Sequence, residues 1–112
     1  MSPDDRVRLR HMADAAESAL RFVEGRARAD LDDDQMLLFA LVRAVEIVGE
    51  AASKVSAEAR AETPDVSWNV IVGMRNRLVH AYFNVDRNIV WTTVTRALPP
   101  LLAQLKSILA QG

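Results

Sequence analysis

Cysteine is absent from the 112 residues. That excludes disulfides, thiolate nucleophiles and thiolate metal ligands, and it fits a cytoplasmic protein. Long apolar runs are missing as well: no stretch reaches the roughly 18 residues that a membrane-spanning helix needs. The opening Ser2-Pro3-Asp4-Asp5-Arg6 lacks the charged and apolar regions of a signal peptide, so no membrane association is expected. Glycine is scarce, with four scattered copies that cannot form a Gly-rich phosphate loop. The two histidines, His11 and His80, lie far apart, and neither has a second histidine or a glutamate at metal-ligand spacing. No metal and no cofactor are therefore expected. There is no excess of basic charge either: 14 Lys and Arg against 15 Asp and Glu leave a formal charge of -1. This is not a polybasic nucleic-acid binder, and any contact with nucleic acid must come from local charge. Internal repeats, low-complexity segments and linkers are absent, and the length suits one domain over residues 1–112.

Half of the residues are hydrophobic, enough for a packed core. Ser2 followed by Pro3, Asp4 and Asp5 reads as a helix start: a cap, a proline at the first position, and acids at the positive end of the dipole. Leu9, Met12, Ala16, Ala19, Leu20 and Val23 continue it at helical spacing, and Gly25 is a plausible stop. Asp32-Asp33-Asp34 opens a second helix running to about Lys54, and the acidic run is most simply a solvated helix start. This helix is apolar on more than one face, which predicts burial against its neighbours and against another subunit. Gly49 inside it costs about 1 kcal/mol relative to Ala, and a close helix crossing would offset that cost.

Ser56 caps a short helix ending before Pro64. Ser67 starts a third helix, expected over about Trp68 to His80, and Asp86 caps a fourth that Pro99-Pro100 kinks or restarts. Trp68 and Trp91 read as core or interface anchors, and His11 as solvated. No segment alternates with period two for long enough to predict a strand. The expected architecture is an all-α bundle of four to five helices.

The stretch Gly73-Met74-Arg75-Asn76-Arg77-Leu78-Val79-His80-Ala81-Tyr82 stands out by its density of polar groups. Polar groups inside an apolar helix destabilise unless something pairs with them. Their chemistry suits an RNA phosphodiester, whose own 2'-hydroxyl can act as the nucleophile. Histidine is the residue type whose ordinary pKa lies near neutrality, which suits His80 to taking or giving a proton. Arg75 offers a planar fork of donors to two phosphoryl oxygens and would stabilise charge developing in the transition state. Asn76 can donate to phosphate or orient the histidine, Arg77 can steer the phosphate backbone, and Tyr82 can stack on a base. Glu50, next to Gly49, is a candidate supporting contact. On one continuous helix Arg75 and His80 would sit about 140° apart. That spacing predicts a homodimer whose two-fold axis brings both copies of the stretch into one cleft.

Arg75, four residues, His80, one residue and Tyr82 resemble the signature of the HEPN superfamily, and more narrowly of HepT-like toxins. The likeness extends to Val45-Glu46-Ile47-Val48-Gly49-Glu50-Ala51-Ala52, to Pro64-Asp65-Val66-Ser67-Trp68 before Gly73-Met74-Arg75-Asn76, and to Asn84-Val85-Asp86 with Trp91 and Leu98-Pro99. It spans about residues 36–105. The resemblance implies an all-helical HEPN-type homodimer and a metal-independent endoribonuclease with Arg75 and His80 as catalytic residues. It also implies a nucleotidyltransferase antitoxin as partner, which transfers AMP from ATP to Tyr82. Added bulk and negative charge there would block the cleft. A non-catalytic binding module, docked to the same nucleotidyltransferase as a nucleotide-binding or substrate-presenting subunit, is the alternative from a different functional class.

Overall fold

The computed structural model describes residues 1–81 and 84–111, with the backbone alone described at 79–81. Among these residues the helices are α1 (Pro3–Phe22), α2 (Asp30–Asp33), α3 (Gln35–Ser53), α4 (Ala57–Glu62), α5 (Trp68–Val72), α6 (Met74–Leu78), α7 (Arg87–Thr92) and α8 (Leu98–Ala110). Two short strands, β1 (Val79–Ala81) and β2 (Asn84–Val85), lie between α6 and α7. The result is an all-α bundle, as the periodicity predicts.

Local chemistry sets the helix starts. The Ser2 hydroxyl accepts from the Asp5 amide at 3.1 Å, and Pro3 occupies the first turn of α1. Asp34 accepts from Leu37 N at 3.0 Å at the start of α3, and Ser56 from Ala59 N at 3.1 Å at the start of α4. Asp86 accepts from Ile89 N at 3.0 Å at the start of α7. Ser67 holds the cap position of α5, but its side chain makes no capping bond. Beyond the end of α1 the chain turns through Gly25, whose φ of 70° lies in the left-handed region where a Cβ is costly.

Helix α3 is the axis of the bundle. Leu37, Leu38, Leu41, Ala44, Val45, Val48, Gly49, Ala51 and Ala52 are buried along it, so more than one face is covered. Helix α1 packs along it, and α5, α6 and α7 pack on it as well. The α1 face is rich in small residues, with Ala13, Ala16 and Ala19 buried beside Leu9 and Met12. At Gly49 a Cβ would meet the carbonyl oxygens of Ile71 and Val72 at 3.5 Å each. The end of α5 thus lies on α3 at this point, but at ordinary van der Waals distance, so the crossing leaves room for a methyl group and does not require the glycine. One stripe of α3 stays uncovered: Met36 is 84% exposed and Phe39 58% exposed.

Two sequence expectations need correction. The third helix does not run unbroken to His80. It breaks at Gly73, resumes as α6 and ends at Leu78. Val79, a β-branched residue, enters an antiparallel pairing in which Val79 faces Val85 and Ala81 faces Asn84, with an irregularity between them. The Asp86 amide donates to the Leu78 carbonyl at 2.8 Å and closes this excursion. The expectation of no strand thus fails on a very short pairing that leaves little periodicity to read. The restart expected at Pro99-Pro100 is present, and the structure adds how it is made. The C-terminal helix is restarted before Pro99-Pro100 by a π-helical segment, Thr93–Ala97, which joins α7 to α8. Proline lacks an amide hydrogen and its ring collides with the carbonyl four residues back. The wider turn just upstream accommodates both prolines in the first turn of α8.

Candidate active site

Met74 and Leu78 are both buried, one helical turn apart, and they anchor α6 to the core. That spacing leaves Arg75, Asn76 and Arg77 exposed. Arg75 turns toward α3, where its Nε donates to Glu46 Oε2 at 3.3 Å. Arg77 points elsewhere: its Nη2 donates to the Val70 carbonyl at 2.9 Å. The two guanidiniums therefore leave α6 on different sides, with Asn76 between them.

Glu50 does not join this group. Its carboxylate lies 3.6 Å from Arg43 Nη1 on the same helix, and both side chains are largely exposed. The carboxylate facing the arginine belongs to Glu46, one turn earlier, whose side chain is only 25% exposed. Sequence reasoning passed over Glu46. The available signal was its place one turn before Glu50, beside the buried Val45 and ahead of Val48. A carboxylate bound to Nε leaves the terminal nitrogens of Arg75 available to a phosphate.

His80 contributes its backbone to β1, and its side chain falls outside the described residues, as does Tyr82 entirely. Because the helix ends at Leu78, the angle of about 140° drawn for one continuous helix does not describe Arg75 and His80. They stand on consecutive elements of different geometry.

Trp68, Trp91, His11 and the acidic run lie as the sequence suggests, outside the site. Trp68 is buried, its indole nitrogen donates to Thr63 Oγ1 at 3.2 Å, and the Arg60 guanidinium lies 5.7 Å from its ring centre. Trp91 packs partly buried against the core, and His11 is exposed. The acidic run is a braced helix start. Arg26 bridges Asp30 at 3.3 Å and Asp34 at 2.8 Å, and Arg28 reaches Asp32 at 3.0 Å. The Asp30 carboxyl is held below its usual range, chiefly by the Ala27 amide, and the Asp34 carboxyl chiefly by Arg26.

Residues 12–108 match the family described as Ribonuclease HepT-like. The chain belongs to that family.

Named relatives of this HepT-like chain agree. "Putative RNase TTE0752" of Caldanaerobacter subterraneus subsp. tengcongensis is 38% identical over 101 residues, covering 90% of each chain. "Probable ribonuclease HepT" of Thermococcus cleftensis is 32% identical, covering 89% of this chain and 91% of the relative. "Putative RNase MJ1380" of Methanocaldococcus jannaschii is 28% identical, covering 94% and 96%. No solved structure matches the chain. Among the described residues, no helix is long and apolar enough to cross a membrane.

Proposed function

We propose that this HepT-like chain is the toxin of a toxin–antitoxin pair and acts as a metal-independent endoribonuclease on tRNA or mRNA. The observation that carries the reading is the ribonuclease family match, which includes α6 with Arg75 exposed and held by Glu46. Arg75 would bind the scissile phosphate through its terminal nitrogens and neutralise charge on the phosphorane. His80 would act in proton transfer. The 2'-oxygen attacks phosphorus while its proton passes to a base. The bond from phosphorus to the 5'-oxygen breaks, and that oxygen takes a proton from an acid. The products are a 2',3'-cyclic phosphate and a free 5'-hydroxyl. In a homodimer with both copies of α6 and β1 in one cleft, two histidines would divide the acid and base roles. Asn76 and Arg77 would steer the RNA, with Glu46, rather than Glu50, as the supporting carboxylate.

Control would come from a partner nucleotidyltransferase of the minimal type. The Tyr82 hydroxyl oxygen attacks the α-phosphorus of ATP, pyrophosphate leaves, and the hydroxyl proton goes to solvent. The resulting phosphodiester adds bulk and negative charge close in sequence to Arg75 and His80, which opposes RNA binding.

Replacement of His80 by Ala tests the reading. Cleavage of bulk tRNA or mRNA is expected to fall by about 100-fold or more, with the circular dichroism spectrum unchanged. Undiminished cleavage by that variant would remove His80 from the mechanism. Wild-type protein that binds the nucleotidyltransferase tightly yet leaves RNA intact would favour a docking subunit instead. Mass spectrometry after incubation with that partner and ATP is expected to find AMP on the peptide containing Tyr82.

A further inference from the structure

Beside α6, on the side to which Arg77 turns, the surface opens into a groove of about 790 Å³. Arg77, Asn88, Ile89, Thr92, Thr93, Arg96 and Ala97 line it. Among the described residues the walls bring two guanidiniums and no carboxylate, although the chain as a whole carries a net charge of -1. Ile89 and Ala97 are the apolar residues of the lining. Arg77 is pinned at the edge by its bond to the Val70 carbonyl, which leaves its other donors open to a ligand. Arg96 and Ala97 belong to the π-helical segment, and wide turns of this kind often occur at functional sites.

We propose that this groove is a substrate subsite that holds one nucleotide of single-stranded RNA flanking the scissile phosphate. Its base lies on the floor formed by Ile89 and Ala97, and its phosphate meets Arg96 and Arg77. The inference rests on the ribonuclease reading above. Arg75, Asn76 and Arg77 are consecutive and all exposed, so a strand bound at Arg75 crosses α6 and enters the groove from Arg77. A flat aliphatic floor under a cationic rim accepts any base, because every base has an apolar face and every nucleotide carries one phosphate. Selectivity at this position should accordingly be low.

The test measures binding of fluorescein-labelled oligouridylate by anisotropy at several salt concentrations, with His80→Ala as the common background. Addition of Arg96→Ala is expected to weaken binding several-fold and to make the plot of log affinity against log salt shallower by about 0.7, the loss of one phosphate contact on a single strand. In the otherwise wild-type enzyme, Arg96→Ala should raise KM and leave kcat within about two-fold, as loss of uniform binding does. Ala97→Trp, at an exposed position on the floor, should fill the groove and weaken binding without changing the circular dichroism spectrum. Arg10→Ala, an exposed arginine on α1, is the control and should leave the salt slope unchanged. If both groove variants bind oligouridylate like their parent, with the same slope, the subsite is refuted while the ribonuclease reading stands. If the His80→Ala parent binds no RNA at any salt concentration and the wild type cleaves none, both fail together.

Discussion

Glu46 and Asp5 are the two acidic side chains whose surroundings make the sharpest claims. Glu46 fixes the direction of Arg75 from one edge of its guanidinium, so its role is positioning. Glu46→Ala is expected to lower kcat for RNA cleavage by about ten-fold while moving KM much less, since small misplacement of a catalytic group is costly. Glu46→Gln, which keeps an acceptor, should recover part of the loss, and Glu50→Ala should change little because Glu50 pairs with Arg43 in solvent. Steady-state kinetics on one RNA substrate separates these outcomes. Asp5 is structural. It is 7% exposed and accepts from the Ser56 amide at 2.8 Å and the Ser56 hydroxyl at 2.7 Å, tying α1 to the turn before α4. The Ser56 amide is the main cause that holds its carboxyl below the ordinary value. Between the two values the unfolded chain binds a proton that the folded chain refuses, so stability rises with pH there. The contribution is complete above the ordinary carboxylate value and is lost as pH falls through the folded one. Asp5→Ala should cost roughly 2–3 kcal/mol at neutral pH. Asp5→Asn should show a flatter fall of Tm with acid than the wild type.

Helix ends were legible where the information is local. Ser2, Asp34, Ser56 and Asp86 cap as their residue types suggest, because a capping bond spans only three residues, whereas Ser67 holds the cap position without making the bond. The break after Leu78 was not legible. It depends on Val79 meeting Val85 and on Asp86 reaching back to Leu78, and neither leaves a periodic trace. The π-helical segment was likewise hidden, although Pro99-Pro100 signalled that something must give. At the site, the exposure of Arg75, Asn76 and Arg77 follows from the buried Met74 and Leu78 on either side. Which glutamate of α3 meets Arg75 depends on how α6 crosses α3, and that is a three-dimensional fact. Two glycines make the same point in opposite directions. Gly25→Ala should cost about 1 kcal/mol, since φ of 70° strains any Cβ there although space is open. Gly49→Ala should be tolerated and gain up to about 1 kcal/mol of helix propensity, because the added methyl meets carbonyl oxygens at a comfortable 3.5 Å. Chemical denaturation of the two variants should move the midpoints in opposite directions.

As a whole molecule, the chain leaves Met36 and Phe39 bare on the helix that carries Glu46. Exposed apolar groups of this size on one stripe fit the proposed homodimer better than a solvated surface. Phe39→Asp should shift the protein from dimer to monomer in light scattering and reduce RNA cleavage, with helicity retained. An active monomeric wild type would contradict the shared cleft. The hydrogen bond from Asp86 to Leu78 has a further consequence at this scale, because it is the latch between the strand of His80 and the start of the C-terminal helix. Its amide proton is a built-in reporter. The rate at which deuterium replaces it counts how often that corner comes apart, and RNA held across the corner should slow the replacement well before any change in melting temperature is seen.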